Sequence, residues 1–351
     1  MSSIGASNPE YVNARVRARR AALLSDEDYR KLIRMGPDGI ARFMEETEYE
    51  TEINALGARY SGTDLIEYAL NRNLAKHFHD MLDWSEGRLN DLIARYLRKY
   101  DTWNIKTVIR GVYSDASAEA IQSDLILAGE LEPEFLDRLS ELETIEAVVE
   151  QLDETLYGDA LADALDEFED DGVLVPLENA VDREFYTHLL DDLPTGWSEG
   201  PIGRYVEFLQ AEIDFLNARN ALRLARSGAD LDPAAYFIEG GTLFTPGDLR
   251  SLATNTDQLI THIRESKYGD DLSIALDELE EADTLIQFEH ALDAALLEYT
   301  DRLSTVYPVS ITAVMSYILA KEREVENIRA IARGREVGLD EAEIEEELVI
   351  L

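Results

Sequence analysis

The most informative segment of the sequence is Asp101-Thr102-Trp103-Asn104-Ile105-Lys106, which Arg110 follows one helical turn later. It places an acid first, an asparagine three positions on, a base two positions further and an arginine four positions after that. The same pattern occurs at Glu10-Asn13-Arg15-Arg19, Asp214-Asn217-Arg219-Arg223 and Glu324-Asn327-Arg329-Arg333. From the composition, about 0.02 matches are expected by chance, so this recurrence indicates an internal repeat.

Two further markers recur in the same register. The first is an Ala-apolar-Asn/Asp segment whose three copies are evenly spaced and begin at Ala69, Ala180 and Ala291. The second is a tyrosine, followed by Gly-Asp in its last two copies, at Tyr49, Tyr157 and Tyr268. A constant register of this length predicts three consecutive units, which we place at residues 1–112, 113–228 and 229–351.

The first unit is shorter because it lacks one segment. From the motif arginine to the acidic start of the next short helix there are 9 residues after Arg19, but 24 after Arg110 and 25 after Arg223. The additional segments end in Gly129-Glu130-Leu131 and Gly241-Thr242-Leu243. A motif helix is therefore predicted at each junction between units and at both ends of the chain.

The hydrophobic pattern is helical. Segments such as residues 92–97 and 263–285 place apolar residues three and four positions apart, with charged residues on the remaining face. The 9 Pro and many of the 20 Gly lie at breaks between such segments, and no segment alternates clearly as a β-strand does. We predict an all-α protein made of three helical repeats.

The charge balance excludes nucleic-acid binding. With 32 basic and 73 acidic side chains the net charge is −41, a field that repels nucleic acid and anionic lipid headgroups. Disorder is the usual state of so acidic a chain, but 45% hydrophobic residues and 29 aromatic side chains predict a buried core. Because only 6 basic residues are Lys, we interpret the acidity as an adaptation to multimolar salt, where the Debye length is about 3 Å or less.

Motifs for catalysis are missing from the sequence. It has no phosphate-binding Gly-x4-Gly-Lys loop, no dinucleotide-binding Gly-x-Gly-x-x-Gly, no His-Glu-x-x-His and no Gly-x-Ser-x-Gly. No Cys is present, and no acid stands three positions before any of the 5 His. We therefore expect no catalytic site, cofactor or metal.

With neither a leader pattern nor a run of about 18 apolar residues, we expect no membrane span. We expect the core to contain Trp84, Trp103 and Trp197.

On a helix, the acid and the asparagine of the motif share one face, and the two cations lie together on the opposite face. Cations at i and i+4 repel each other, so acidic groups are expected opposite them. Two interpretations stay open, namely ion pairing within the chain and binding to an acidic partner protein. On the second interpretation, the candidate interface residues are Arg15, Arg19, Lys106, Arg110, Arg219, Arg223, Arg329 and Arg333.

With these motifs the chain resembles the C subunit of the archaeal A-type ATP synthase, a family related to the d subunit of eukaryotic V-type ATPases. The likeness covers the whole length. It rests on the threefold repeat, on residues 11–18, on the Gly-x-Leu segments at 129–131 and 241–243, on the Tyr-Gly-Asp turns, and on the Asn-x-Arg steps at 217–219 and 327–329.

The resemblance implies a funnel of three pseudo-symmetric helical bundles that transmits torque and catalyses nothing. In that family the funnel joins the central stalk, formed by subunits D and F, to the membrane rotor ring of K/c subunits at the cytoplasmic face of the cell membrane. The resemblance therefore implies a rotor subunit that serves ATP synthesis driven by ion translocation. The alternative is an α-helical scaffold for a cytosolic partner, although common helical repeats are much shorter, about 33–47 residues.

Overall fold

The computed structural model describes residues 7–194, 199–227, 232–252, 255–270 and 285–346, together with positions 273, 276, 277, 280 and 348. Over these residues every regular element is helical, and no strand occurs. The prediction of an all-α fold is therefore confirmed for this part of the chain.

The helices follow one another through short connections. In chain order they are α1 (Pro9–Arg20), α2 (Asp26–Leu32), α3 (Pro37–Met44), α4 (Glu50–Leu56), α5 (Gly62–Trp84), α6 (Gly87–Leu97), α7 (Lys99–Tyr113), α8 (Ala118–Ser123), α9 (Pro133–Ser140), α10 (Ile145–Gln151), α11 (Gly158–Asp171), α12 (Val175–Leu190), α13 (Pro201–Ser227), a 3-10 helix (Pro233–Tyr236), α14 (Pro246–Leu252), α15 (Thr256–Arg264), α16 (Leu285–Val306), α17 (Ile311–Val337) and α18 (Glu341–Glu346).

These helices divide between two compact units. One unit consists of Gly36–Asp191 with Ser7 and Asn8, and therefore holds α3 to α12. The other consists of Pro9–Met35 with the described residues from Asp192 onward, so that it combines α1 and α2 with α13 to α18. The three ranges 1–112, 113–228 and 229–351 stay a prediction about the repeat.

Local sequence signals set several helix ends. Ser25 and Asp28 form a capping box at the start of α2, in which each side chain accepts from the other residue's N–H. Thr245 and Asp248 make the same reciprocal pair at the start of α14. Gly172 ends α11 in the left-handed conformation, with φ at 68°. The matching boxes make α2 and α14 equivalent at their first turn.

The marker tyrosines belong to the cores of their units. Tyr49, Tyr157 and Tyr268 are all fully buried. In the last two copies the following glycine is packed against backbone, because a Cβ at Gly158 or Gly269 would lie 2.3 or 1.8 Å from a carbonyl oxygen. This close approach explains why glycine follows the tyrosine in those copies.

Candidate interface at the motif helices

In helix α7 the motif acid and asparagine hold a loop. Asp101 is 3% exposed, and its carboxylate accepts from the backbone N–H groups of Glu130 and Leu131 at 2.9 and 3.0 Å. The amide of the buried Asn104 donates to the carbonyl oxygen of Ile126 at 2.9 Å and accepts from the N–H of Ile126 at 2.8 Å. Together these two side chains fix the connection between α8 and α9.

Helix α13 repeats the arrangement with the next copy of the motif. Asp214 accepts from the N–H groups of Thr242 and Leu243, both at 2.9 Å. Asn217 pairs with the carbonyl and N–H groups of Ile238 at 2.8 and 2.9 Å, and both motif side chains are buried. We call this binding of one loop backbone by a buried acid and a buried asparagine the loop clamp. It pairs backbone polar groups that lie outside the helices.

The glycine of each Gly-x-Leu segment makes room for the clamp. A Cβ at Gly129 would lie 2.0 Å from Oδ1 of Asp101, and one at Gly241 would lie 2.2 Å from Oδ1 of Asp214. Any side chain at these positions would therefore push the carboxylate away from the backbone N–H groups. The Gly-x-Leu segments noted in the sequence are the parts of the loops that the clamp acids bind.

Burial has the largest effect on the pKa of each clamp acid. It raises the pKa of Asp101 to about 6, although the two N–H donors act in the opposite direction. Burial also raises the pKa of Asp214, against its N–H donors and Tyr268. The Tyr268 hydroxyl donates to Oδ2 of Asp214 at 2.8 Å, whereas the buried hydroxyl of Tyr157 has no hydrogen-bond partner among the described residues. The two clamps thus share their backbone bonds but differ in this hydroxyl.

The two motif cations of α7 meet acids of α12. Nζ of Lys106 lies 2.5 Å from Oδ1 of Asp182, and Nε of Arg110 lies 2.5 Å from Oε1 of Glu178. The lysine side chain is 18% exposed and the arginine side chain 49% exposed. One pair is therefore largely shielded from water, while the other lies at the surface.

Helix α13 meets α16 through the same pairing. Nη1 of Arg219 lies 3.4 Å from Oδ1 of Asp293, and Arg223 forms a two-point pair with Glu289, with Nε 2.5 Å from Oε1. The two acids occupy the same positions of the repeat as those of α12. For these four cations the observed pairing is within the chain, one of the two interpretations that the sequence left open. Their binding to a partner protein stays a prediction.

The motif copy in α1 is arranged differently. Glu10 is exposed, and the amide of Asn13 donates to the carbonyl oxygen of Pro9 in its own helix at 2.8 Å. Among the described residues, these two side chains therefore form no loop clamp. Arg15 is exposed, and its guanidinium carbon lies 4.8 Å from the ring centroid of Tyr11.

The motif copy in α17 is buried like the central copies. Glu324 and Asn327 are 3% and 2% exposed, so this copy has the buried acid that the copy in α1 lacks. Of the remaining candidate interface residues, Arg19 and Arg329 are half-buried and Arg333 is exposed.

A family profile described as ATP synthase (C/AC39) subunit matches residues 12–347. The chain belongs to this family. Relatives named as the C subunit of the A-type ATP synthase are 67% identical over 351 residues in Haloferax volcanii and 56% identical over 352 residues in Halobacterium salinarum, each covering 100% of both chains. A relative of the same name from Methanococcoides burtonii is 39% identical over 347 residues, covering 98% of this chain and 95% of its own.

As a C/AC39 subunit, the chain is one part of a multisubunit ATP synthase. The halophilic relatives agree with the interpretation of its acidic, Lys-poor surface as an adaptation to salt. In the part of the chain described, no helix is both long and apolar enough to cross a bilayer. Among the same residues, no group of three His, Asp or Glu side chains is placed to hold a metal ion.

The acids that pair with the motif cations were not predicted from the sequence. Asp182 and Asp293 are the acids of the Ala-apolar-Asn/Asp marker. Because this marker and the motif recur in the same register, aligning the two would have identified these acids as partners of the motif cations. Sequence reasoning also placed Trp103 wrongly, because this side chain is 43% exposed. Trp84 is half-buried, and Trp197 lies outside the described residues.

Proposed function

We propose that this protein is the non-catalytic rotor subunit that couples the central stalk, formed by subunits D and F, to the membrane rotor ring. It transmits torque for ATP synthesis driven by ion translocation. Three pseudo-symmetric helical repeats, at 1–112, 113–228 and 229–351, form a funnel that holds the stalk. The protein acts at the cytoplasmic face of the cell membrane and is attached there through the ring.

The observation that most supports the proposal is that the same arrangement of contacts occurs at two motif helices. In α7 and again in α13, a buried acid and a buried asparagine bind a loop backbone, and the opposite face of the helix is paired with acids of the next long helix. A subunit that transmits torque must resist deformation. Breaking a clamp would leave buried polar groups unpaired, which costs about 1–3 kcal/mol for each group.

The surface charge supports attachment through protein contacts. A chain of net charge −41 is repelled by anionic lipid headgroups. In multimolar salt only charges at contact distance interact strongly, because the Debye length is about 3 Å or less. Docking at the membrane therefore depends on short-range fit to the ring.

Affinity capture from solubilised membranes in multimolar salt tests the proposal. The tagged protein should recover the stalk subunits and the ring subunit together. An equally acidic cytosolic protein with the same tag is the control for charge. Recovery of soluble cytosolic proteins without ring or stalk would contradict the proposal and favour the scaffold alternative.

The candidate interface residues need a test that separates internal from external pairing. Arg223→Glu alone should cost at least roughly 1 kcal/mol of stability, because it sets a second carboxylate beside Glu289, whose side chain is only 16% exposed. Adding Glu289→Arg restores the internal pair with its charges exchanged. If Arg223 also binds an acidic partner, the exchanged variant should be stable but recover less stalk or ring than the parent chain. Full recovery would show that the pair is internal only.

The same exchange separates the two interpretations for Arg110 with Glu178 and for Lys106 with Asp182. Because Lys106 is more shielded, its single reversal should destabilise the unit more than that of Arg110. For the other candidates, capture with single charge reversals is the direct test; they are Arg15, Arg19, Arg219, Arg329 and Arg333.

A further inference from the structure

We infer that helix α17 closes the chain by clamping the N-terminal segment with its motif acid, as the acids of α7 and α13 clamp their own loops. The backbone N–H of Leu24 donates to Oε2 of Glu324 at 2.6 Å, across 300 positions of sequence. The side chain of Asn327 is hydrogen-bonded to the hydroxyl of Tyr29 in α2. The motif acid and asparagine of α17 are therefore both used on the segment that precedes and forms α2. This inference does not depend on the proposed rotor function.

The clamped residue has the same place in all three copies. Leu131, Leu243 and Leu24 each donate a backbone N–H to a motif acid, and each stands two or three positions before a short helix, α9, α14 or α2. In the two central copies the clamping helix precedes the short helix along the chain. In the third copy it follows, so the clamp joins the two ends of the chain.

Charge compensation also favours α17 as the clamping helix. Lys321 is fully buried, and its ammonium donates to Oε1 of Glu324 at 2.7 Å. Both oxygens of the buried carboxylate are thus bonded, one to a cation and one to a backbone N–H, as a charge removed from water requires. Helix α1 has no such arrangement, because Glu10 is exposed.

Contacts before Leu24 reach α16, α17 and the connection between these two helices. Arg17 donates to the carbonyl oxygen of Pro308 at 2.7 Å, and Nη2 of Arg20 lies 2.6 Å from Oδ2 of Asp301. Arg20 also bonds the hydroxyl of Ser316. The segment before Leu24 is therefore held at three further points, one in α16, one in the connection between α16 and α17, and one in α17.

Hydrogen exchange of the intact chain in multimolar salt tests the closure. In the parent protein, the amide of Leu24 and the segment 21–35 should be as strongly protected as the core of α17, because they open only when the clamp opens. Exchange of Leu24 at the rate of a frayed chain end would overturn the inference.

A variant then tests the carboxylate itself. Glu324→Ala should speed the exchange of 21–35 at least about tenfold, the effect of losing a charge-assisted hydrogen bond, and should leave 124–131 unchanged. Glu336→Gln, at an exposed position of the same helix, is the matched control. Unchanged protection of 21–35 in the folded Glu324→Ala variant would overturn the inference.

A double replacement controls for global destabilisation of the unit. Glu324→Ala leaves Lys321 as a buried, unpaired cation, which can destabilise the whole unit. Lys321→Met with Glu324→Leu removes both charges and the acceptor of Leu24 while keeping the side chains apolar and bulky. This variant should also release 21–35 at least about tenfold faster than Glu336→Gln does. Retained protection in it would contradict the closure.

Discussion

Single carboxylates decide how the loops next to the motif helices are held. Burying a carboxylate is unfavourable unless donors replace its hydration. Asp101 and Asp214 obtain these donors from loop backbone, and Glu324 obtains them from Leu24 and Lys321. Nothing in a composition with 73 acidic residues distinguishes these three. Their burial does so, and it makes each sensitive to small chemical changes.

The marker tyrosines should differ in their contribution to stability. Tyr268→Phe removes a buried hydrogen bond to Asp214 and should lower the free energy of unfolding by about 1–3 kcal/mol. Tyr157→Phe removes a buried hydroxyl that has no partner among the described residues, so its effect should be within about 0.5 kcal/mol or slightly stabilising. Urea unfolding at constant high salt measures both. Equal losses in the two variants would contradict this account of the hydroxyls.

The raised pKa of Asp101 predicts a pH dependence of stability. Because the folded-state pKa is about 6 and the usual value is 3.8, the folded chain binds more protons than the unfolded chain between these values. The contribution of Asp101 to stability therefore falls as the pH rises from about 4 to about 7. Relative to Asp101→Asn, the parent should lose up to about 3 kcal/mol over this range.

Urea unfolding of the two proteins at a series of pH values measures this difference. Taking the difference between them cancels the titration of the other carboxylates, provided that the replacement leaves them undisturbed. If the free energy of unfolding of the parent rises with pH relative to that of Asp101→Asn, the two N–H donors outweigh burial at Asp101.

The motif helices work as elements with two opposed polar faces. In α7 and α13 one face binds a loop backbone and the other pairs with the next long helix, α12 or α16. A helix used on both sides holds three chain segments in a fixed relation. This explains why acid, asparagine and cations occur together in these two copies, since both faces are used there.

Filling the glycine next to a clamp should break it. Gly129→Ala and Gly241→Ala each place a Cβ about 2 Å from a clamp carboxylate oxygen, so two backbone hydrogen bonds must be lost or distorted. We expect losses of at least about 2 kcal/mol in the free energy of unfolding.

Gly247→Ala in α14 is the matched control for these two variants. Its Cβ would meet only an ordinary contact at 3.7 Å, so it should be neutral or slightly stabilising through helix propensity. The same unfolding measurement applies. If all three replacements cost the same, the close approach to the carboxylates is not the cause.

The net charge makes salt a condition of stability for the whole chain. At about 0.1 M salt the Debye length is about 10 Å, so neighbouring carboxylates repel one another, whereas multimolar salt reduces this reach to about 3 Å or less. The thermal midpoint, followed by helical circular dichroism, should therefore fall steadily as KCl is lowered from about 3 M to about 0.2 M. Sucrose of equal osmolality should not restore it. A midpoint independent of salt would contradict the interpretation of the acidic surface.

Residue order alone was enough to establish the helical class, the long and regular period of the repeat, the resemblance to the C/AC39 family and the recurrence of the Gly-x-Leu segments. These are properties of spacing, and spacing is visible along a chain. The folded chain was needed to learn which motif copies clamp a loop. Glu10 and Glu324 match the pattern equally well, yet only Glu324 is buried against a loop, which lies 300 positions away. Burial and partnership depend on segments distant in sequence, and a local pattern contains no information about them.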